Sequence, residues 1–166
     1  MTLPDESSRL ITEETGSQRL IGYTLEVGHP DGGGRCRLIV DERHVNRQNI
    51  LHGGIATLLL DNACAVSASL TVDDTGRQPF TTLSLNVNFL AAGHRGGVTA
   101  IGRVTGGGRK IIFASAELFH DNGTLIATAS GVFKRAPAPP PEAVKRPVPD
   151  SVPGGRRTPP GANDIT

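Results

Sequence analysis

Between Phe80 and Leu90 the chain alternates, with Leu83, Leu85, Val87 and Phe89 on one face and Thr82, Ser84, Asn86 and Asn88 on the other. That period of two predicts a half-buried strand. From Gly53 to Leu70 the pattern changes: residues on nearly every side are aliphatic or small, with one acid, Asp61. Such a stretch suits a long helix enclosed by protein. Shorter runs with branched residues at 22–27 and 35–41 predict two strands, separated by the turn formers from Gly28 to Gly34. Three more strands are expected at 98–105, 110–120 and 124–133, joined by Gly106-Gly107-Gly108 and by Asp121-Asn122-Gly123. Asn-Gly between two apolar runs is a strong hairpin signal, because both residues tolerate positive φ, so the sheet is antiparallel.

The order is two strands, one long apolar helix, then four strands in an antiparallel meander. One helix cannot cover both faces of such a sheet, so it lies across one face while a sheet of five to six strands curves around it. This α+β arrangement is the hotdog fold. The expected limits are a polar N-terminal segment over 1–18, one domain over 19–135, and a tail over 136–166. Within the first segment, Leu10-Ile11 is an apolar spot that suits a turn of helix. Nine of the 12 prolines fall after residue 136, so the tail has too little to bury and is expected to be disordered or polyproline-like.

Composition then removes several classes of function. Seventeen Lys and Arg against 16 Asp and Glu leave a net charge of +1 with no block of like charges, which argues against a nucleic-acid partner. Cys36 and Cys64 stand alone in apolar surroundings without metal-ligand spacing, so no metal site or disulfide framework is expected. The N-terminus lacks a signal-like apolar run and no segment is long enough to span a membrane, so a cytoplasmic protein is expected. Neither Gly32-Gly33-Gly34 nor Gly107-Gly108-Arg109-Lys110 has phosphate-loop spacing, and both read as turns. His29, in the first of these, is expected to face solvent. His44, His94 and His120 form no recognisable ligand cluster.

Candidate chemistry centres on the enclosed helix. An ionised carboxylate inside it is costly, so Asp61 needs a partner or a task. At the helix start, His52-Gly53-Gly54 offers N–H groups without intrahelical partners at the positive end of the macrodipole, and glycine lets a ligand approach closely. A carbonyl aimed at the Gly53 N–H would have its developing oxyanion stabilised. Asp61 lies about 12 Å further along the helix, too far to serve that carbonyl. Pairing two copies, so that Gly53 of one faces Asp61 of the other, repairs the distance and predicts a homo-oligomer.

The stretch His44-Val45-Asn46, then Leu51-His52-Gly53-Gly54, then Leu58-Leu59-Leu60-Asp61-Asn62-Ala63 resembles the motif of hotdog acyl-CoA thioesterases of the PaaI type, which include phenylacetate-pathway enzymes. Leu85-Asn86-Val87-Asn88-Phe89-Leu90 resembles that family's following strand, and the likeness covers roughly residues 20 to 134. It implies hydrolysis of acyl-CoA without a cofactor, in dimers or dimers of dimers whose active sites lie across the dimer interface. It implies Asp61 as general base or nucleophile, Asn46 as the amide orienting the carbonyl or the water, and His52 as the histidine near the thioester sulfur. Thr82 takes the place of a hydroxyl residue near the attacking water. Gly54 stands beside the substrate, and Arg109 and Lys110 could meet the coenzyme A phosphates at the rim.

Plainer roles exist for each residue. Asp61 can be a structural carboxylate bonded to Thr57, His52 a packing histidine, Asn46 a turn residue, Thr82 an ordinary strand threonine, and Arg109 and Lys110 solvated surface charges. Two other functions fit the fold: an enoyl-thioester hydratase or dehydratase, and a non-catalytic acyl-CoA-binding module. The first uses His with an acid in other motifs, and the second is expected to carry a DNA-binding segment that this sequence lacks.

Overall fold

The computed structural model describes residues 9–137. Apart from Ala136 and Pro137, the proline-rich tail lies outside the described residues, as do the first eight. Nine elements follow one another: β1 (Arg9–Ile11), α1 (Gly16–Ile21), β2 (Thr24–Val27), β3 (Arg35–Val40), α2 (Gly53–Ser69), β4 (Phe80–Phe89), β5 (Gly96–Gly107), β6 (Ile111–His120) and β7 (Leu125–Arg135). All seven strands form one antiparallel sheet around α2, so the expected α+β hotdog architecture holds with one strand more than the upper expectation.

The extra strand comes from Leu10-Ile11, which pairs with β2 instead of seeding a helix. Ile11 is buried against Val27 and Val66, and that burial favours the extended form. The helical turn begins later, where Thr15 and Gln18 make a capping box. Buried Gln18 also donates from Nε2 to the Ile11 carbonyl at 2.9 Å, tying β1 to α1.

The four-strand meander is corrected. The sheet order is β1-β2-β3-β5-β6-β7-β4, so only β5, β6 and β7 form a meander. β4 crosses the sheet and pairs with β7 at the far edge. Its return loop is anchored by other segments: Leu90 and Ala91 donate to the Ile126 carbonyl, and Leu51 donates to the Gly93 carbonyl. These bonds hold the loop after β4 against the start of α2.

On its sheet side α2 buries Leu59, Leu60, Ala63 and Cys64 against Leu38, Val98, Leu118 and Phe133. Contact is so close that a Cβ on Gly34 would sit 1.9 Å from Val66, and one on Gly102 would sit 2.1 Å from the Ala63 carbonyl oxygen. Helix enclosure is incomplete, however. Ile55, Leu58, Asp61, Asn62 and Ala65 are only half-buried, leaving one face of α2 open in the single chain. His29 is also corrected: it is mostly covered and faces Glu26 at 3.3 Å.

Candidate active site

Asp61 points from the open face of α2 towards β4, where the Thr82 hydroxyl donates to its Oδ1 at 2.8 Å. A β-bulge makes this contact. Between Thr82 and Ser84 the pairing of β4 with β7 skips a residue, so Leu83 has no partner and the alternation changes phase. Phe80 and Thr82 therefore point inward with Leu85 and Val87, while Leu83 turns out to solvent. The sequence pattern had put Thr82 and Leu83 on the wrong faces, because period-two counting assumes an unbroken ladder.

Burial pushes the Asp61 carboxyl above its ordinary value, and the Thr82 bond opposes this without cancelling it. The Thr57 alternative fails, since its hydroxyl donates back to the Gly53 carbonyl at 2.8 Å. Cys64, one turn past Asp61, is pushed up to about 12 by burial and by the Asp61 charge, so its thiol stays protonated at neutral pH.

Nine residues before Asp61, His52 is the N-cap of α2, and its Nδ1 accepts from the Gly54 N–H at 2.9 Å. That bond assigns the ring proton of neutral His52 to Nε2. It also engages Gly54, while Ile55 and Ala56 donate to the His52 carbonyl. The Gly53 N–H precedes the first intrahelical bond and remains the donor of this turn open to a ligand. The Phe89 ring lies beside it, 3.3 Å from where a Cβ would stand.

Asn46 belongs to a tight loop closed by the Asn46 N–H to the Ile50 carbonyl at 2.8 Å. Its Oδ1 accepts from the backbone of Gln48 and Ile50, which leaves the Nδ2 donors free. Asn46 and Gly53 line one cavity of about 390 Å³ with Phe89 and Gly93. The structure thus brings Asn46, His52, Gly53 and Gly54 together at one end of α2 and pairs Asp61 with Thr82 near its middle. Within one chain these are separate groups.

Three contributors were missed in the sequence. His44 is fully buried, accepting at Nδ1 from the Asp41 N–H at 3.0 Å and bonding through Nε2 to the Ile21 carbonyl at 2.9 Å. Its own carbonyl accepts from the His52 N–H, so His44 fixes the loop carrying Asn46. Lys134 and Arg135 join Arg109 and Lys110 around a groove of about 630 Å³. The hairpin register could have revealed them, because Lys134 stands opposite Ile111. Among the described residues, no group of three or more His, Cys, Asp or Glu could hold a metal ion. No helix there is long and apolar enough to cross a membrane.

Comparisons with known proteins agree with this fold. The family model of the thioesterase superfamily matches residues 48–127, spanning the Gly53 turn, Asp61 and Thr82. A candidate esterase of Pseudomonas aeruginosa is 33% identical over 97 residues, covering 58% of this chain and 70% of that protein. Human acyl-coenzyme A thioesterase 13 is 26% identical over 124 residues, covering 74% and 86%. Among solved structures, the Escherichia coli PaaI protein from the phenylacetic acid degradation operon superposes with a TM-score of 0.66 at 19% identity, over 76% of this chain and 88% of that one. A Bacillus halodurans protein crystallised with CoA superposes with a TM-score of 0.55 at 26% identity, over 60% and 68%. The fold is the hotdog fold of these thioesterases. The chain belongs to the thioesterase superfamily and is a thioester hydrolase.

Proposed function

We propose that the chain hydrolyses acyl-CoA thioesters to free acid and CoA, at sites shared by two copies. The observation that carries this reading is the layout of β4, whose two ends mark the two half-sites. Phe89 rests on Gly53, and Thr82 holds Asp61. β4 is also an open edge of the sheet, and Leu83, Phe89 and Leu90 beside it are 54%, 57% and 58% exposed. A long edge with exposed apolar residues calls for a partner strand. Antiparallel pairing of two β4 edges about a two-fold axis sets the Phe89 end of each against the Thr82 end of the other. Gly53 of one copy then faces Asp61 of its neighbour, and the half-open face of α2 becomes covered.

In this arrangement Gly53 N–H and Asn46 Nδ2 hold the thioester carbonyl. Asp61, its Oδ1 fixed by Thr82, takes a proton from water through Oδ2 as the water attacks the carbonyl carbon. Charge on the tetrahedral oxygen is met by the Gly53 N–H, and loss of such a donor typically costs about 2.7–4 kcal/mol. The C–S bond then breaks, and the thiolate of CoA recovers the proton from Asp61. Direct attack by Asp61 would give an acyl anhydride that water opens, with the same products. His52 has Nε2–H free to face the sulfur while Nδ1 caps the helix, and Gly54 leaves room beside it.

The groove of Arg109, Lys110, Lys134 and Arg135 supports CoA as the thiol carrier, since four cations suit its phosphates. Two buried free thiols fit a reducing cytoplasm. Free-thiol release from aliphatic and aromatic acyl-CoAs tests the activity. Wild type should release thiol and Asp61→Asn should fall by about 10²–10⁴-fold; equal turnover of the two would remove Asp61 from the mechanism.

A further inference from the structure

A small hairpin, residues 44–52, carries Asn46 on its first arm and delivers the chain to Gly53 at the end of its second. Its rungs are the bridge between Val45 and Leu51, the bond from the His52 N–H to the His44 carbonyl at 2.9 Å, and the bond from the Asn46 N–H to the Ile50 carbonyl at 2.8 Å. The second arm runs straight into α2, and its Leu51 N–H reaches the Gly93 carbonyl at 2.8 Å, so Gly53 is held by the body of the protein. The first arm ends in an exposed turn, Arg47 to Asn49, and its buried polar anchor is the His44 ring. Nε2 bonds to the carbonyl of Ile21, the last residue of α1, at 2.9 Å, and Nδ1 accepts from the Asp41 N–H at 3.0 Å. The first of these bonds satisfies a helix-end carbonyl that has no intrahelical partner. Asp41 Oδ1 also stands 3.2 Å from Nδ1, so either charge state of the ring joins residue 41 to residue 21.

We propose that His44 is a positioning residue for the hydrolysis, holding the Asn46 amide in register with the Gly53 N–H through its bond to the end of α1. The inference rests on the acyl-CoA thioesterase reading, in which these two groups hold the carbonyl. His44 lines neither the cavity shared by Asn46 and Gly53 nor the one bordered by Asn46 and His52, so it acts through Asn46 and not on the substrate. An aliphatic side chain would fill the same buried space without desolvating two ring nitrogens, and what the imidazole adds is direction. Direction matters because the turn beyond Asn46 is exposed, and a donor displaced by about 1 Å loses about 10²-fold in rate.

The test compares His44→Asn with His44→Gln by kcat and KM for decanoyl- and phenylacetyl-CoA and by thermal unfolding. Glutamine places a donor where Nε2 stood and keeps the tie to Ile21, whereas asparagine places an acceptor where Nδ1 stood and keeps only the local turn to Asp41. Each loses one of the two bonds, so a purely structural role lowers Tm alike in both and leaves kcat of the folded protein unchanged. His44→Asn should lose about 10²-fold in kcat with KM little changed, and His44→Gln should stay within about fivefold of wild type. In an Asn46→Ala background the His44→Asn loss should shrink to about threefold or less, because the group it positions is gone. Equal kcat in the two folded variants, or a loss as large without Asn46 as with it, would overturn the proposal. If His44→Asn fails to fold, His44→Leu, which fills the site without polar atoms, takes its place with the same expectations. Should wild type release no thiol from any acyl-CoA, the activity reading fails separately, and amide hydrogen exchange decides the anchor. Exchange of the Asn46 and His52 N–H groups at least about 10-fold faster in His44→Asn than in His44→Gln, with the interior of α2 unchanged, supports it, and equal exchange overturns it.

Discussion

Replacing Thr82 by valine keeps the shape of the side chain and removes one hydroxyl, the donor of the 2.8 Å bond to Asp61 Oδ1. A hydrogen bond to a charged acceptor contributes about 1.5–3 kcal/mol. If that bond holds the carboxylate in its working position and charge state, its loss should lower kcat/KM at neutral pH by about 10- to 100-fold. The pH profile should move as well. Burial already pushes the Asp61 carboxyl up, and the Thr82 bond is what opposes it. Without the bond the carboxyl rises further, so the acidic limb of kcat/KM shifts to higher pH and part of the loss is recovered in alkaline buffer. Thr82→Ser keeps the donor and should restore both rate and limb. The assay is free-thiol release across a pH series for wild type and the two variants. A Thr82→Val enzyme with kcat/KM within twofold of wild type and an unmoved limb would refute the role assigned to this bond.

Asp61→Asn should be more stable than wild type at neutral pH while being inactive. The folded carboxyl lies above its ordinary 3.8, so wild type loses stability as pH rises from that value through the folded one, and Asn does not. Unfolding followed from acid to neutral pH should show the variants converging at low pH; a constant gap would contradict the assignment. His52→Asn should keep the helix cap and stay close to wild type in stability, while His52→Ala should lose about 0.5–2 kcal/mol by denaturant titration. Gly53→Ala retains the backbone N–H but sets a methyl 3.3 Å from the Phe89 ring, in the space a ligand would use, and misplacement on the 1 Å scale should cost about 10²-fold in kcat/KM. Leu83→Lys on the β4 edge should shift the protein towards monomer in sedimentation, with activity falling in parallel.

Much of this site was readable from residue order. The isolated acid in an apolar helix and the glycine pair at its start needed only periodicity and the cost of burying charge. The antiparallel strands after the helix followed from alternation and Asn122-Gly123. What escaped detection depends on non-local pairing. The bulge at Leu83 depends on the register with Val132 and Phe133, so the sequence pattern could not show that Thr82 turns inward. β4 reaching the far edge depends on β5 taking the place beside β3, which no local signal announces. His44 gave no sign of its anchoring role, because its partners at Ile21 and Asp41 are backbone groups that any sequence could supply. β1 formed because Ile11 found Val27 and Val66, a long-range burial that outweighed weak local preference.

The central claim is that Gly53 and Asp61 serve one reaction from different chains. Mixing subunits tests it most directly: Gly53→Val and Asp61→Asn variants, each inactive alone, are co-refolded in equal amounts and assayed for thiol release. In a shared-site dimer one of the two sites in each mixed pair contains both intact groups, so about a quarter of wild-type activity should return. A mixture that forms mixed dimers yet stays as inactive as its parents would show that both groups must come from the same chain.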